Sequence, residues 1–345
     1  MARLYYKILA IIILGGSLML GTLWWDYKNY LNTSILSAGD SAIVHVEQGS
    51  NLTRVLYQLK EQGLIKKPRY LLWYARLFSN PNQLHIGEYQ VESADTPLLL
   101  LEKLLNGKVK LYSFTIIEGW TFSQVIDEIN KNEYLMHSIE GLSPKDIMTK
   151  LGYDKLHYEG RFMPDTYRFP KGTSDLNILK QAYLAMQDYL KSQWPNRDVG
   201  LPIKTPYEAL TLASIVEKET GKASERKQIA GVFVRRLQIR MRLQTDPTVI
   251  YGMGARFKGN IKRRDLKRNT PYNTYRNYGL PPTPIAMPSR AAVDAVLHPE
   301  PGEALYFVSK GDGSHYFSAT LKEHNNAVIK YQLKGRKRSF SSYKN

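Results

Sequence analysis

The sequence predicts an α+β chain with an N-terminal transmembrane helix, a small α+β module and a larger mixed α+β domain. Three observations carry that prediction. An uncharged run, Ile8 to Trp25, lies between Arg3 and Lys7 on one side and Asp26 and Lys28 on the other. A grammar of short strand, glycine turn and amphipathic helix then occurs twice within residues 43–130. From residue 159 onward, strong helix patterns alternate with fixed turn chemistry such as Met163-Pro164-Asp165 and Thr245-Asp246-Pro247.

The first run would make about 27 Å of helix, enough to cross a hydrocarbon core with little tilt. Trp24 and Trp25 stand where interfacial aromatics belong, and the preceding positive charges favour a cytoplasmic residue 1–7 segment. Residues 8–25 are therefore expected to be a single-pass signal anchor, with the rest of the chain extracytoplasmic. A cleaved signal peptide is the rival, weakened because no clean small-x-small site follows the run. With no cysteine in the chain, lipoprotein attachment and disulfides are both excluded.

Residues 26–42 read as a polar juxtamembrane linker. In the module, Ile43–Val46 and Phe114–Ile117 are the strands of the two repeated units, followed by Gly49 and Gly119 and then by helices. Between them lie a helix around Arg69–Phe78, a strand at Gly87–Val91 and a helix after Thr96-Pro97. Residues 131–158 form a boundary region. The larger domain, 159–333, is expected to hold helices at 175–193, 206–219, 224–240 and 288–297. A closing hairpin follows around Gly311-Asp312-Gly313. Residues 334–345 are a basic tail.

The formal charge is +17, which calls for an acidic partner. Nucleic acid is set aside because the predicted anchor places the chain on the wrong side of the membrane. Acidic phospholipid and carboxylate-bearing wall glycan suit that side better. The cluster Lys258, Lys262, Arg263, Arg264, Lys267 and Arg268 reads first as a solvated face rather than a binding site.

Several chemistries lack their residues. The seven histidines never fall at metal-ligand spacing, so no metal and no cofactor is expected. Gly252-Met253-Gly254 lacks a third glycine and a preceding strand, and Gly313-Ser314-His315 lacks a nucleophile elbow. Carboxylates remain. Thr205, Pro206 and Glu208 mark a helix start, and Leu210, Ala213 and Ser214 precede Glu217 by seven, four and three residues on one face. A carboxylate held against small and apolar neighbours loses hydration, which favours the protonated form that a general acid needs. The competing reading is a structural glutamate at a helix end. Gln244, Asp246, Tyr272, Asn273 and Tyr275 are polar or amphipathic groups on turns, of the kind that line sugar clefts.

Four segments together resemble the endolytic murein transglycosylases of the YceG-like family. They are Ala213–Thr220, Arg242–Gly252, Pro271–Tyr275 and Gly279–Pro282, supported by Pro164-Asp165-Thr166, Leu305–Val308 and His324-Asn325. Thr283 departs from the family, which usually has glycine there. The resemblance implies an inner-membrane enzyme whose LysM-like module precedes a catalytic domain. It also implies internal cutting of peptidoglycan glycan strands between N-acetylmuramic acid and N-acetylglucosamine. On this view Glu217, the first glutamate of Glu-Lys-Glu-Thr, is acid and then base, and the products end in 1,6-anhydromuramic acid. Glu219 would be a supporting carboxylate, with Gln244, Asp246, Tyr272, Asn273 and Tyr275 orienting the sugar or Glu217. Penicillin-binding proteins or other wall synthases are the implied partners, through a role in ending nascent strand growth. Two alternatives stay open: a hydrolase using Asp246 or Glu219 as second carboxylate, and a non-catalytic glycan-binding scaffold.

Overall fold

A computed structural model describes residues 2–333, so the basic tail 334–345 lies outside the described residues. The fold is mixed α+β and divides into two compact units. The first comprises the chain up to Tyr112 together with Arg168–Gly172, and the second comprises Ser113–Tyr167 and the chain from Thr173 onward.

The first unit begins with α1 (Ala2–Asn32), whose stretch from Arg3 has a mean hydropathy of 2.0 in its most apolar window and no part of that window buried. By length and composition this helix can cross a membrane, and a signal sequence would look the same. It runs seven residues past Trp25, where the sequence suggested an irregular linker. The extra two turns have tertiary partners. Leu31 is buried, Tyr27 packs edge-on against Tyr70, and Asp26 takes hydrogen bonds from Lys67 (2.6 Å) and Tyr70 (2.7 Å).

After it come β1 (Ser41–Val46), α2 (Leu52–Glu61), α3 (Pro68–Phe78), β2 (Gly87–Glu92) and α4 (Pro97–Leu105). β1 and β2 pair antiparallel, from Ser41 opposite Glu92 to Val46 opposite Gly87. Alternation in β1 sends Val44 and Val46 inward, onto Leu52, Val55, Leu56 and Leu59 of α2. Asn51 and Thr96 cap α2 and α4 by accepting from the backbone N–H of Arg54 and Leu99.

β3 (Leu111–Thr115) leads into the second unit, where α5 (Phe122–Ile129), β4 (Leu135–Met136) and α6 (Pro144–Lys150) follow. β5 (Thr166–Pro170) pairs with β3, and β6 (Thr173–Ser174) pairs parallel with β4. The segment Ser113–Asn130, which its sequence grammar groups with the small module, belongs to this second unit. Its anchors explain why. Gly119 donates to the Met287 carbonyl, Met287 donates back to Trp120, and the Phe122 N–H is held by Glu159. Similar local grammar has been used in two different cores.

The core of the second unit is helical. α7 (Asp175–Gln193), α8 (Pro206–Glu219), α9 (Arg226–Gln238), α10 (Asp246–Met253), α11 (Arg263–Lys267) and α12 (Arg290–Leu297) precede the antiparallel hairpin β7 (Tyr306–Ser309) and β8 (His315–Ser318), and α13 (Leu321–Tyr331) closes the unit. α8 is the central element, packed against α9 and α12 and buried continuously from Ala209 to Val216. Each fully buried Leu, Ile or Val on it contributes about 1.5–3 kcal/mol. Thr205 caps it by accepting from the Glu208 N–H at 3.1 Å, while the Glu208 carboxylate accepts from Lys204 N at 2.5 Å. Asp246 starts α10, where Thr245-Asp246-Pro247 alone predicts a turn; Pro247 stands in the first turn of the helix, which tolerates it.

Candidate active site

α8 ends in two carboxylates with different surroundings. Glu217 is the first residue past the buried run, and its side chain is only 7% exposed. Its Oε2 accepts from the backbone N–H of Ser289 at 2.9 Å and from the Ser289 hydroxyl, and its Oε1 lies 3.9 Å from Arg226. Ser289 is also the N-cap of α12, where its oxygen accepts from Ala292 N. Glu217 therefore sits at the N-terminus of α12, among hydrogen-bond donors. Its partner lies 72 residues along the chain, so the spacing within α8 could not reveal it.

Glu219 faces a cavity of about 780 Å³, within the range of ligand clefts. Gln244, Thr245, Asp246 and Tyr275 line the same cavity, along with Arg236, His315 and His324; Glu217, Tyr272 and Asn273 are not among its lining residues. The Thr245 hydroxyl donates to Glu219. Burial above all pushes the Glu219 carboxyl up from the ordinary range, and nearby Asp246 adds to this. The Thr245 hydroxyl, His315 and Arg236 pull the other way.

The loop bearing Gln244, Thr245 and Asp246 is fastened to the Pro-Tyr-Asn-Thr-Tyr segment. Gln244 N donates to the Thr274 carbonyl at 3.2 Å, Thr245 N to the Thr274 hydroxyl at 3.1 Å, and the Tyr275 hydroxyl to Asp246 at 2.6 Å. Gln244 adopts φ +52, a left-handed conformation that costs a non-glycine residue about 1 kcal/mol or more. Asn273 is buried and works as a brace: its side-chain amide donates to the carbonyls of Leu266 and Arg268, and its Oδ1 accepts from Tyr275 N.

Tyr272 belongs to another cluster. Its ring meets Tyr251 edge-on at 4.9 Å and its hydroxyl pairs with Thr283 at 2.8 Å. The Thr283 hydroxyl also donates to the Pro284 carbonyl. Beside this pair Glu159, 2% exposed, accepts from Tyr251 and from Phe122 N, each at 2.9 Å. Burial pushes the Glu159 carboxyl up to about 7. No sequence signal marked Glu159, Arg236 or Ser289. His315 and His324 stand in quoted or candidate segments, yet only the packing of β7, β8 and α13 brings them to the cavity. Among the described residues no cluster of three or more His, Asp and Glu side chains is placed to hold a metal ion.

Comparison with known proteins bears on this arrangement. The model of the YceG-like family matches residues 44–330. An endolytic murein transglycosylase of Bacillus subtilis is 28% identical over 343 residues, covering 93% of this chain and 91% of the relative. One from Streptococcus pneumoniae is 26% identical over 84% of this chain, which spans only 58% of that longer protein. The crystal structure of a yceG-like protein from Listeria monocytogenes superposes with a TM-score of 0.51 at 30% identity, covering 84% of this chain and 99% of that one.

Proposed function

The chain belongs to the YceG-like family, and from that premise we propose that it is an endolytic murein lytic transglycosylase whose acid and base is Glu219. The reading departs from the expectation built on Glu217. One observation carries it: of the two glutamates, Glu219 lines the large cavity beside Gln244, Asp246 and Tyr275, with burial favouring its protonated form. Each glutamate has one oxygen held, Glu217 by Ser289 and Glu219 by Thr245, but Glu217 does not line that cavity and supports the end of α8 instead.

In the proposed reaction, Glu219 donates its proton to the glycosidic oxygen between N-acetylmuramic acid and N-acetylglucosamine, and the C1–O bond breaks. The muramyl 6-hydroxyl closes on the oxocarbenium-like C1, and its proton passes to the Glu219 carboxylate. Glu219 returns to its starting state and no water is consumed. An internal hydroxyl is already held near C1, which removes the entropy cost of binding a second reactant. Tyr275 and Asn273 fix Asp246 and its loop, so that Gln244 and Asp246 face the sugar.

Asp246 lines the same cavity, which makes two-carboxylate hydrolysis the competing reading. Mass spectrometry of products from purified glycan strands separates the two. Anhydro ends support transglycosylation; reducing ends, heavier by one water, would replace it with hydrolysis. Binding without cleavage would favour a scaffold.

The apolar window of α1, none of it buried, supports a single-pass anchor, and the positive charges before it favour an extracytoplasmic catalytic unit. The order β1, α2, α3, β2 with an antiparallel pair supports a LysM-like reading of the first unit. An anchored enzyme cutting within strands suits the termination of nascent glycan beside a synthase.

A further inference from the structure

The loop after α10 and the short α11 enclose a second cavity, of about 410 Å³, which shares no lining residue with the cleft around Glu219. Arg256, Lys258, Lys262, Arg264 and Arg268 line it, with Asp265 as the one carboxylate. That leaves an excess of four positive charges around one concavity. Asp265 cancels one of the five charges and is held within the loop. Its Oδ2 accepts from the backbone N–H of Lys262, and its Oδ1 is 3.9 Å from the Arg264 guanidinium. Among the described residues no carboxylate pairs with Lys258, Lys262 or Arg268.

The backbone builds the concavity. Gly254 ends α10 at φ +53 and Gly259 turns the loop at φ +84, conformations that suit glycine. Arg256 is oriented by the carbonyls of Met253 and Gly252 (3.3 and 3.4 Å). Surface lysines and arginines ordinarily spread out among acids. Here five solvent-exposed ones line a single concavity, which concentrates their field. Guanidinium forks match phosphate oxygens, and ammonium groups add point charge.

We propose that this cavity is a binding site for a phosphoryl group, as a diphosphate or as the phosphodiester of a lipid headgroup. The ligand's oxygens would meet the three guanidiniums while Lys258 and Lys262 close over its remaining charge. The proposal stands independently of the glycan reading.

Site-resolved lysine acetylation tests it on the full chain in neutral maltoside micelles, read by mass spectrometry. Inorganic pyrophosphate at about ten times its Kd should slow labelling of Lys258 and Lys262 about tenfold, with Lys180 and Lys204 unchanged. An Arg264→Glu/Arg268→Glu variant should lose that protection while Lys180 and Lys204 label as in wild type. Micelles doped with phosphatidylglycerol distinguish the sources. Protection by the lipid as well assigns a headgroup, and protection by pyrophosphate alone assigns a soluble phosphate. No protection by either would overturn the proposal. So would equal protection by citrate, or undiminished protection in the double variant.

Discussion

Replacing Glu159 with glutamine should favour the folded chain more above neutral pH than in acid, where only the cost of the altered hydrogen bonds is left. Glu159 is buried, and its carboxyl titrates at about 7 where an unburied glutamate titrates near 4.5. Between those values the folded chain keeps a proton that the unfolded chain has released. Folded stability contributed by this group therefore falls as pH rises from 4.5 to about 7, and is constant above. That gap corresponds to about 3 kcal/mol. Glutamine has no proton to lose. Its oxygen can still accept from Phe122 N, and its amide can donate to the Tyr251 hydroxyl, which reverses its role. With imperfect geometry subtracted, the gain above pH 7 should be about 1–3 kcal/mol. Urea unfolding of both proteins at pH 4, 5.5 and 7.5 measures it, because the other titrating groups cancel in the difference. A difference independent of pH, or a loss at pH 7.5 as large as that at pH 4, would mean that burial does not hold Glu159 protonated.

Ser289→Ala removes the α12 cap and one of the two donors to Glu217, and should cost about 2 kcal/mol, measured by thermal unfolding. Gly160→Ala should cost more than about 2 kcal/mol in the same assay, since φ is +77 and the new Cβ would stand 2.4 Å from Pro284. Asp246→Asn withdraws a charge that holds the Glu219 carboxyl up. A general acid is lost as pH rises through its pKa, so the alkaline limb of the cleavage rate should move to lower pH. An unmoved limb with a lower rate would give Asp246 a sugar-binding role alone.

What was legible in the sequence was local. Thr205, Pro206 and Glu208 fixed the start of α8, and the glycine-rich turn at 311–313 fixed the last hairpin, because caps and turns act over a few residues. The end of α1 was not legible, since Asp26 owes its place to Lys67 and Tyr70, more than forty residues away. The two glutamates of α8 show the same limit. Their spacing puts them on different faces, but it cannot say which face meets a cleft. That depends on Thr245 meeting Glu219 from one side of the unit and Ser289 meeting Glu217 from another. Gln244, Asp246 and Tyr275 were recognisable as a set, whereas Tyr272, from the same motif, turned to the Glu159 cluster.

Whether Glu219 is the acid and base is decided by cleavage of purified, uncrosslinked glycan strands by the wild type, Glu219→Gln and Glu217→Gln, with products identified by mass. Anhydro-ended fragments are expected from the wild type and from Glu217→Gln wherever that variant folds, and none above background from Glu219→Gln. Anhydro products from Glu219→Gln at the wild-type rate, with a folded Glu217→Gln inactive, would contradict that assignment.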